Sequence, residues 1–379
     1  MAKKKNKRKL SPEARRKRNA ARARCASVLG ILVLCVGIIA LIKIGSGAEM
    51  PLAVEADGYS CLTPETIITA DDSDVVSVMG TADSDEVEAV PEDPVADSVK
   101  NIGIEFSDTY PIDMVIRSEY AIVYDVEAGE VLYAKNPEEK CYPASTTKIM
   151  SSAVTIKNAP SDLVFTVGDE QSMVNAGSSL AMLSVGNELD LTMIVDGMMI
   201  PSGNDAAYCA AANIGRVIGD DDTLSAEQSV QTFVDEMNAT AERIGCKNTH
   251  FANPDGFHDD DHYTTVADML RVALYAENFD LLCESAEKPS VYTSFLSGEQ
   301  VSWENSNKLI QEYSDCYYLY ATGMKTGMTD EAGYCVVATA ERFEHQVVCI
   351  VFNASASDIR WNDTIALLDA AFVYIRGRG

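Results

Sequence analysis

The chain has 379 residues, 47% of them hydrophobic, and a formal net charge of -28, which is ample for one large core or two modest ones. Residues 1–24 hold 12 Lys/Arg against the single acid Glu13, so the other 355 residues carry -39. Such a basic head suits nucleic acid, but the apolar run that follows points to a membrane instead, and no nucleic-acid partner is expected.

Residues 26–42 form a run of 17 without a charge. As a helix it spans roughly 25 Å, just short of a bilayer core of about 30 Å. Ile44, and Lys43 reaching toward head groups, make up the difference. Residues 25–44 therefore read as a single-pass membrane anchor, with the basic tail 1–24 in the cytoplasm and everything after it outside. The alternative is a cleaved signal peptide and a secreted product, with Ser46-Gly47-Ala48 as the small-residue cleavage site. The apolar run exceeds the usual signal core of about 7–15 residues, which favours the retained anchor.

Residues 45–112 are rich in Asp, Glu, Ser and Ala, with few aromatics and no sustained period. They are expected to be a disordered acidic stalk that acts as a tether. The folded domain is expected over 113–379. Residues 121–124 and 131–133 flank an Asp125-Val-Glu-Ala-Gly129 turn and predict a strand hairpin. Apolar spacing predicts helices over 146–158, 191–200, 205–214, 233–244 and 265–276. Three strands follow at 317–324, 334–340 and 346–352, and a helix over 364–374 ends the domain. Strands at both ends with helices between imply an α/β (α+β) fold, in which one antiparallel sheet is built from both chain ends around an inserted helical region.

Ten cysteines are present. Cys25 and Cys35 fall in the membrane run. The other eight are widely and irregularly spaced with no C-x-x-C, which argues against a metal cluster. Outside the cell they permit disulfides. Cys335 and Cys349, on adjacent predicted strands, are candidates to face each other, with buried free thiols as the alternative.

Three short motifs occur in one order: Ser145-x-x-Lys148, Ser202-x-Asn204 and Lys325-Thr326-Gly327. A second S-x-x-K, Ser285-Ala-Glu-Lys288, lies in a polar stretch ended by Pro289 and is expected to be a decoy. Ser145 opens an apolar-spaced helix instead. Ser145 and Lys148, three apart, share one helix face. A lysine is a base only when neutral, and burial under the helical region together with a second cation, Lys325, is expected to lower its pKa to about 7–8. The Ser145 N–H at the helix start faces developing negative charge. Ser202 suits a proton relay to the leaving amine, and Asn204 can hold a substrate amide. Lys325 and Thr326 offer a cation and a hydroxyl to a carboxylate, and Gly327 lets a substrate backbone lie close.

With these motifs in place, the chain resembles the D-alanyl-D-alanine carboxypeptidases, low-molecular-weight penicillin-binding proteins of a serine peptidase family that trim peptidoglycan stem peptides. The matching stretches are Tyr142-Pro-Ala-Ser-Thr-Thr-Lys-Ile-Met150, Pro201-Ser-Gly-Asn-Asp-Ala-Ala207 and Gly323-Met-Lys-Thr-Gly-Met-Thr329 with Ala332-Gly-Tyr-Cys335. Phe251-Ala-Asn-Pro-Asp-Gly256, His262-Tyr-Thr-Thr265 and Asn305-Ser-Asn307 match as well, and the likeness covers about residues 113–375. The resemblance implies Ser145 as the acylated nucleophile, Lys148 as its base, and Ser202 with Asn204 as the second motif. It makes Lys325, Thr326 and Gly327 the substrate strand and the Met328 N–H the second oxyanion donor. It also implies peptidoglycan stem peptides as substrate, β-lactams as covalent inhibitors, and no cofactor or metal. Some relatives carry a basic residue or Thr where Ser306 sits, which leaves the carboxylate contacts open there.

Four other readings compete. A β-lactamase needs a deacylation base, and no Glu followed four residues later by Asn occurs after Ser202. A zinc peptidase rests on His258 and His262, but His250 and His345 lack ligand spacing. A non-catalytic wall-binding protein has no need of intact Ser145, Lys148 and Lys325. A DD-endopeptidase acting on cross-links shares every motif.

Overall fold

Residues 93–378 are described in the computed structural model. The apolar segments near the two ends of that stretch meet in one antiparallel sheet. Strands β1 (Tyr120–Asp125) and β2 (Glu130–Lys135) form the predicted hairpin. Three further strands from the far end of the chain complete the sheet in the order β2-β1-β9-β8-β7. These are β7 (Ala321–Thr329), β8 (Gly333–Arg342) and β9 (His345–Ala354). Strand β7 is therefore an edge.

Between the hairpin and β7 lies the helical region. It comprises α2 (Lys148–Asn158), α3 (Leu191–Met199), α4 (Asn204–Gly219), α5 (Ala226–Arg243), α6 (Val266–Ala276) and α7 (Asp280–Ala286). Two small ribbons accompany it: β3 (Phe165–Thr166) with β4 (Glu188–Leu189), and β5 (Ser290–Ser294) with β6 (Gln300–Glu304). The last helix, α8 (Ser357–Arg378), covers the other face of the main sheet.

Alternation along β9 separates the two cores. Val348, Ile350 and Phe352 join the core shared with the helical region, whereas Val347, Cys349 and Val351 pack with Trp361, Leu368 and Phe372 of α8. The sheet is covered on both faces, so β9 reads as an unbroken apolar run. Burial of that run stabilises the sheet by about 25 cal/mol per Å² of apolar surface removed from water.

The folded unit begins earlier than residue 113. Helix α1 (Pro94–Lys100) is capped by Asp93, whose carboxylate accepts from Val95 N and Ala96 N, and Pro94 sits in the first turn. Ala96 and Val99 enter the main core, and Arg271 Nη1 donates to Val99 O at 3.1 Å. Residues 93–112, assigned by composition to the stalk, thus belong to the folded unit. The tail 1–24, the anchor 25–44, the Ala48 cleavage site and the rest of the stalk lie outside the described residues. Among the described residues no helix is long and apolar enough to cross a membrane.

The expectation for Cys335 and Cys349 is corrected. Both are buried free thiols, and they lie on opposite faces of the sheet, Cys335 in the helical-side core and Cys349 against α8. Neighbouring strands do not suffice, because side chains of a pair must also share a face.

Candidate active site

The segment that carries Ser145 is a tight turn. Residues Ala144–Thr147 form one 3-10 turn that runs into α2, and Ala144 has a left-handed φ of +47°. Such a conformation costs on the order of 1–3 kcal/mol in a non-glycine residue unless its surroundings hold it. Here they do. Thr146 Oγ donates to Pro143 O at 2.6 Å, and Thr147 Oγ donates to Ala144 O at 2.8 Å. His262 Nε2 lies 2.8 Å from Thr147 Oγ, and Ala252 N donates to His262 Nδ1 at 3.1 Å. The ring nitrogen that accepts from Ala252 carries no proton, so Nε2–H donates to Thr147. Burial drives the His262 pKa down to about 3, and the ring stays neutral.

Two glycines let other chains close on this turn. A Cβ at Gly256, whose φ is +82°, would meet Ala144 O at 1.9 Å, and one at Gly327 would meet Ser145 N at 3.0 Å. The second contact brings the middle of β7 directly against the Ser145 backbone.

Lys148 opens α2 one turn after Ser145. It is fully buried, and Nζ donates to Ser145 Oγ at 3.1 Å, to Asn204 Oδ1 at 2.6 Å and to Asp255 O at 2.7 Å. Burial lowers its pKa to about 8, against the opposing pull of Asp255 and Asp205. The shift has the size that base chemistry needs, and burial, the first of the two sources expected from the sequence, is its cause. Burial also pushes the Asp255 carboxyl up, toward its neutral form.

Asn204 begins α4, so its side chain points at the start of α2. Its Nδ2 donates to Ser178 Oγ at 2.9 Å while Oδ1 faces Lys148. Asp205 beside it accepts from Ala181 N and Leu183 N, which ties the 178–183 loop over the site. Ser202 is buried in the loop between α3 and α4, with a left-handed φ of +64°.

On the other side stands β7. Lys325, Thr326 and Gly327 are all buried in it. Burial first, and then the Lys148 and Arg360 charges, hold Lys325 well below the usual lysine range. Thr326 Oγ lies 2.7 Å from Ser306 Oγ, so two hydroxyls stand together beside the interior of β7. Behind the strand, buried Arg360 of α8 donates to Gly327 O at 3.3 Å and Cys335 O at 3.1 Å.

In front of these groups lies an open cavity of about 420 Å³. Ser145, Ser178, Asn204, Phe257, His258, Met328, Asp330 and Glu331 are among its lining residues. Of the residues named from the sequence, Ser145, Asn204 and Met328 line the cavity. Lys148 sits beneath it in contact with two of them, and Lys325, Thr326 and Gly327 form the strand behind. Ser202 is close in sequence to Asn204 but does not line the cavity.

The decoy is sealed off. Ser285 does lie in a helix, α7, but it is fully buried near the helix end and donates to Asp196 Oδ1 at 2.6 Å, and Lys288 binds the same carboxylate. The two histidines of the zinc reading also part company, since His262 is locked under Ser145 and His258 faces the cavity, edge-on to Tyr142. Asp255 lies in a stretch matched by the family resemblance but carries no sequence signal of its contact with Lys148, and His262 was a candidate only as a zinc ligand. Asp330 and Glu331 carried no signal beyond following the third motif.

A family model described as D-alanyl-D-alanine carboxypeptidase matches residues 107–356. D-alanyl-D-alanine carboxypeptidase DacF of Bacillus subtilis (strain 168) is 30% identical over 266 residues, 69% of this chain and 63% of the relative. This chain thus spans a little under two thirds of the length of that protein. A D-alanyl-D-alanine endopeptidase of Pseudomonas aeruginosa is 26% identical over 261 residues, 68% of this chain and 78% of the relative. Among solved structures, the Streptomyces K15 DD-transpeptidase superposes with a TM-score of 0.63 at 27% identity, covering 69% of this chain and 99% of that one.

Proposed function

The chain belongs to the D-alanyl-D-alanine carboxypeptidase family, and we propose that it is a serine-type enzyme that removes the terminal D-alanine from peptidoglycan stem peptides. The observation that carries this reading is the 3.1 Å contact between Ser145 Oγ and a buried Lys148 with a pKa near 8, at the floor of an open cavity.

The substrate adds to the free edge of β7 as an extra strand, its terminal carboxylate toward Thr326, Ser306 and Lys325. Neutral Lys148 takes the Ser145 hydroxyl proton as Oγ attacks the carbonyl carbon of the penultimate D-alanine. The oxyanion is held by the N–H groups of Ser145 and Met328. As the C–N bond breaks, Lys148 gives the proton it took from Ser145, through Ser202, to the leaving amine of D-alanine and becomes neutral again. Water then attacks the Ser145 ester, with Lys148 again accepting a proton, and releases the shortened stem. A β-lactam enters the same route and stops at the ester. No step calls on a metal or cofactor.

The test is D-alanine release from a free stem pentapeptide, compared with cleavage of a cross-linked dimer. Release from the pentapeptide by wild type and none by Ser145→Ala supports the reading. A second reading, a DD-endopeptidase, is supported by the Pseudomonas aeruginosa relative, and faster cleavage of the dimer would establish it in place of the first.

We also place the domain outside the membrane, tethered by residues 25–44, on the charge pattern of the N-terminal segment. Protease shaving of intact cells is expected to release a fragment containing Ser145 and leave the basic tail behind. A mature chain starting at Glu49 would replace the anchor with a cleaved signal.

A further inference from the structure

We propose that the buried carboxylate of Asp255 completes a Ser145–Lys148–Asp255 chain, in which it acts through Lys148 by answering the positive charge that Lys148 gains on taking the Ser145 proton. The inference rests on Lys148 as the base of the proposed mechanism and names a positioning residue behind it.

Residues 253–257 form a tight loop against α2. Asn253 Oδ1 accepts from Gly256 N at 2.8 Å, and Asn253 Nδ2 donates to Phe257 O at 2.9 Å. Ser151 Oγ donates to Pro254 O at 2.6 Å, and Lys148 Nζ donates to Asp255 O at 2.7 Å. Lys148 and Ser151 are three apart, so the loop grips one face of α2.

The Asp255 side chain does little for that loop. It is fully buried; Oδ1 accepts from Phe257 N at 3.1 Å, and Oδ2 is shielded from solvent without a hydrogen-bond partner. An amide accepts from Phe257 N equally well and brings no charge into the core, where an unanswered carboxylate is costly. The answering charge is Lys148. A carboxylate oxygen lies roughly 3–5 Å from its own residue's carbonyl oxygen, which puts the Asp255 charge within about 8 Å of Lys148 Nζ.

The other titratable groups around this pair are already committed. Asp205 of α4 also raises Lys148, after Asp255, but its oxygens accept from the N–H groups of Ala181, Leu183 and Ala206. Burial pushes the Tyr208 phenol up and the His262 ring down, so both stay neutral. From β7 comes Lys325, held well below the usual lysine range by burial first and the Lys148 charge second. Burial raises the Asp255 carboxyl and the Lys148 charge opposes it, so each group favours the charged form of the other. Asp255 takes no proton itself; the proton passes from Ser145 Oγ to Lys148 Nζ as the Oγ–carbon bond forms.

Such a carboxylate has two effects that separate on its removal. It strengthens Lys148 as a base, and it holds the lysine proton to higher pH. At an effective dielectric of about 20, its loss should lower Lys148 by about one unit or more. The experiment measures the second-order rate of acylation of the full-length chain by a fluorescent penicillin from pH 5 to 10. In Asp255→Asn the inflection is expected to fall from about 8 to about 7 or below. The plateau above it is expected to fall about 3–10-fold, because a weaker base assists less, so the two curves meet at about pH 6. Asp255→Ala removes the charge with a different shape and should show the same inflection. A plateau that drops while the inflection stays near 8 marks a merely structural role and would overturn the proposal. Loss of a cooperative urea transition in both variants would make the carboxyl a folding element and overturn it too. Absence of acylation in the wild type at every pH would overturn the serine-enzyme reading, and this inference with it.

Discussion

Replacing Asn204 with Asp tests whether Lys148 works as a neutral base. The amide oxygen lies 2.6 Å from Lys148 Nζ, so Asn204→Asp places a full negative charge there without changing the shape of the site. In the wild type a pKa of about 8 leaves Lys148 about one-tenth neutral at pH 7, half neutral at pH 8 and about nine-tenths neutral at pH 9. The second-order rate of acylation by a fluorescent penicillin should therefore rise about fivefold from pH 7 to 8 and only about twofold from 8 to 9. An opposite charge at contact raises a lysine pKa by about 1–3 units. The inflection in Asn204→Asp should move to about 9 or above, and the rate at pH 7 should fall at least about tenfold. Stopped-flow fluorescence from pH 6 to 10 reads both effects. An inflection that stays near pH 8 in the variant while the whole curve drops would refute the coupling and leave Asn204 as a substrate contact only. A wild-type rate that climbs tenfold per unit through pH 9 would refute the lowered pKa itself.

Three more outcomes are expected. His262 has a folded pKa of about 3 against an ordinary 6.5, so below pH 6.5 the unfolded chain binds a proton that the folded chain does not. Its contribution to stability is complete above pH 6.5 and is lost as pH falls toward 3. Between pH 7 and 5 the wild type should lose about 2 kcal/mol more than His262→Gln in urea melts. Gly256→Ala forces a Cβ against Ala144 O in a left-handed backbone, and should cost several kcal/mol, about 3 or more, and abolish penicillin labelling. A peptide with an amidated C-terminus should release its last residue about 10–100-fold more slowly than the free acid, and Lys325→Ala should erase most of that preference. Equal wild-type rates on acid and amide would remove Lys325 and Thr326 from carboxylate binding.

Most of the sheet was legible from residues. Alternation and apolar runs placed β1, β2, β8 and β9, because those strands are buried and their side chains report it. Strand β7 was set too early, at 317–324. Its glycines read weakly as strand, while Tyr317, Tyr318 and Tyr320 read strongly but lie before it. Helix α8 begins seven residues before the predicted start, since Arg360 and Asp363 look like solvent-facing charge. In the fold they are buried and bound, Arg360 to β7 and β8 and Asp363 to Ser118. Helix α1 was missed for a related reason. Its capping Asp93 and Pro94 sit in a run of acidic residues whose average composition hides two buried side chains.

The site divides along the same line. Ser145, Lys148 and Asn204 are local in sequence spacing and were read from it. What holds them is not local. His262 and Gly256 reach the Ser145 turn from residues more than a hundred positions away, and spacing carries no trace of such contacts. Burial was expected to lower the Lys148 pKa and does, whereas the Lys325 charge expected to add to it is not among the causes.

Peptide mapping of the β-lactam adduct tests the nucleophile most directly. The full-length chain is incubated with benzylpenicillin, digested and sequenced by mass spectrometry, alongside Ser145→Ala and Ser285→Ala. One adduct per chain on Ser145, absent in Ser145→Ala and unchanged in Ser285→Ala, is the expected result. An adduct on Ser285 or on any cysteine, or one that survives Ser145→Ala, would contradict it.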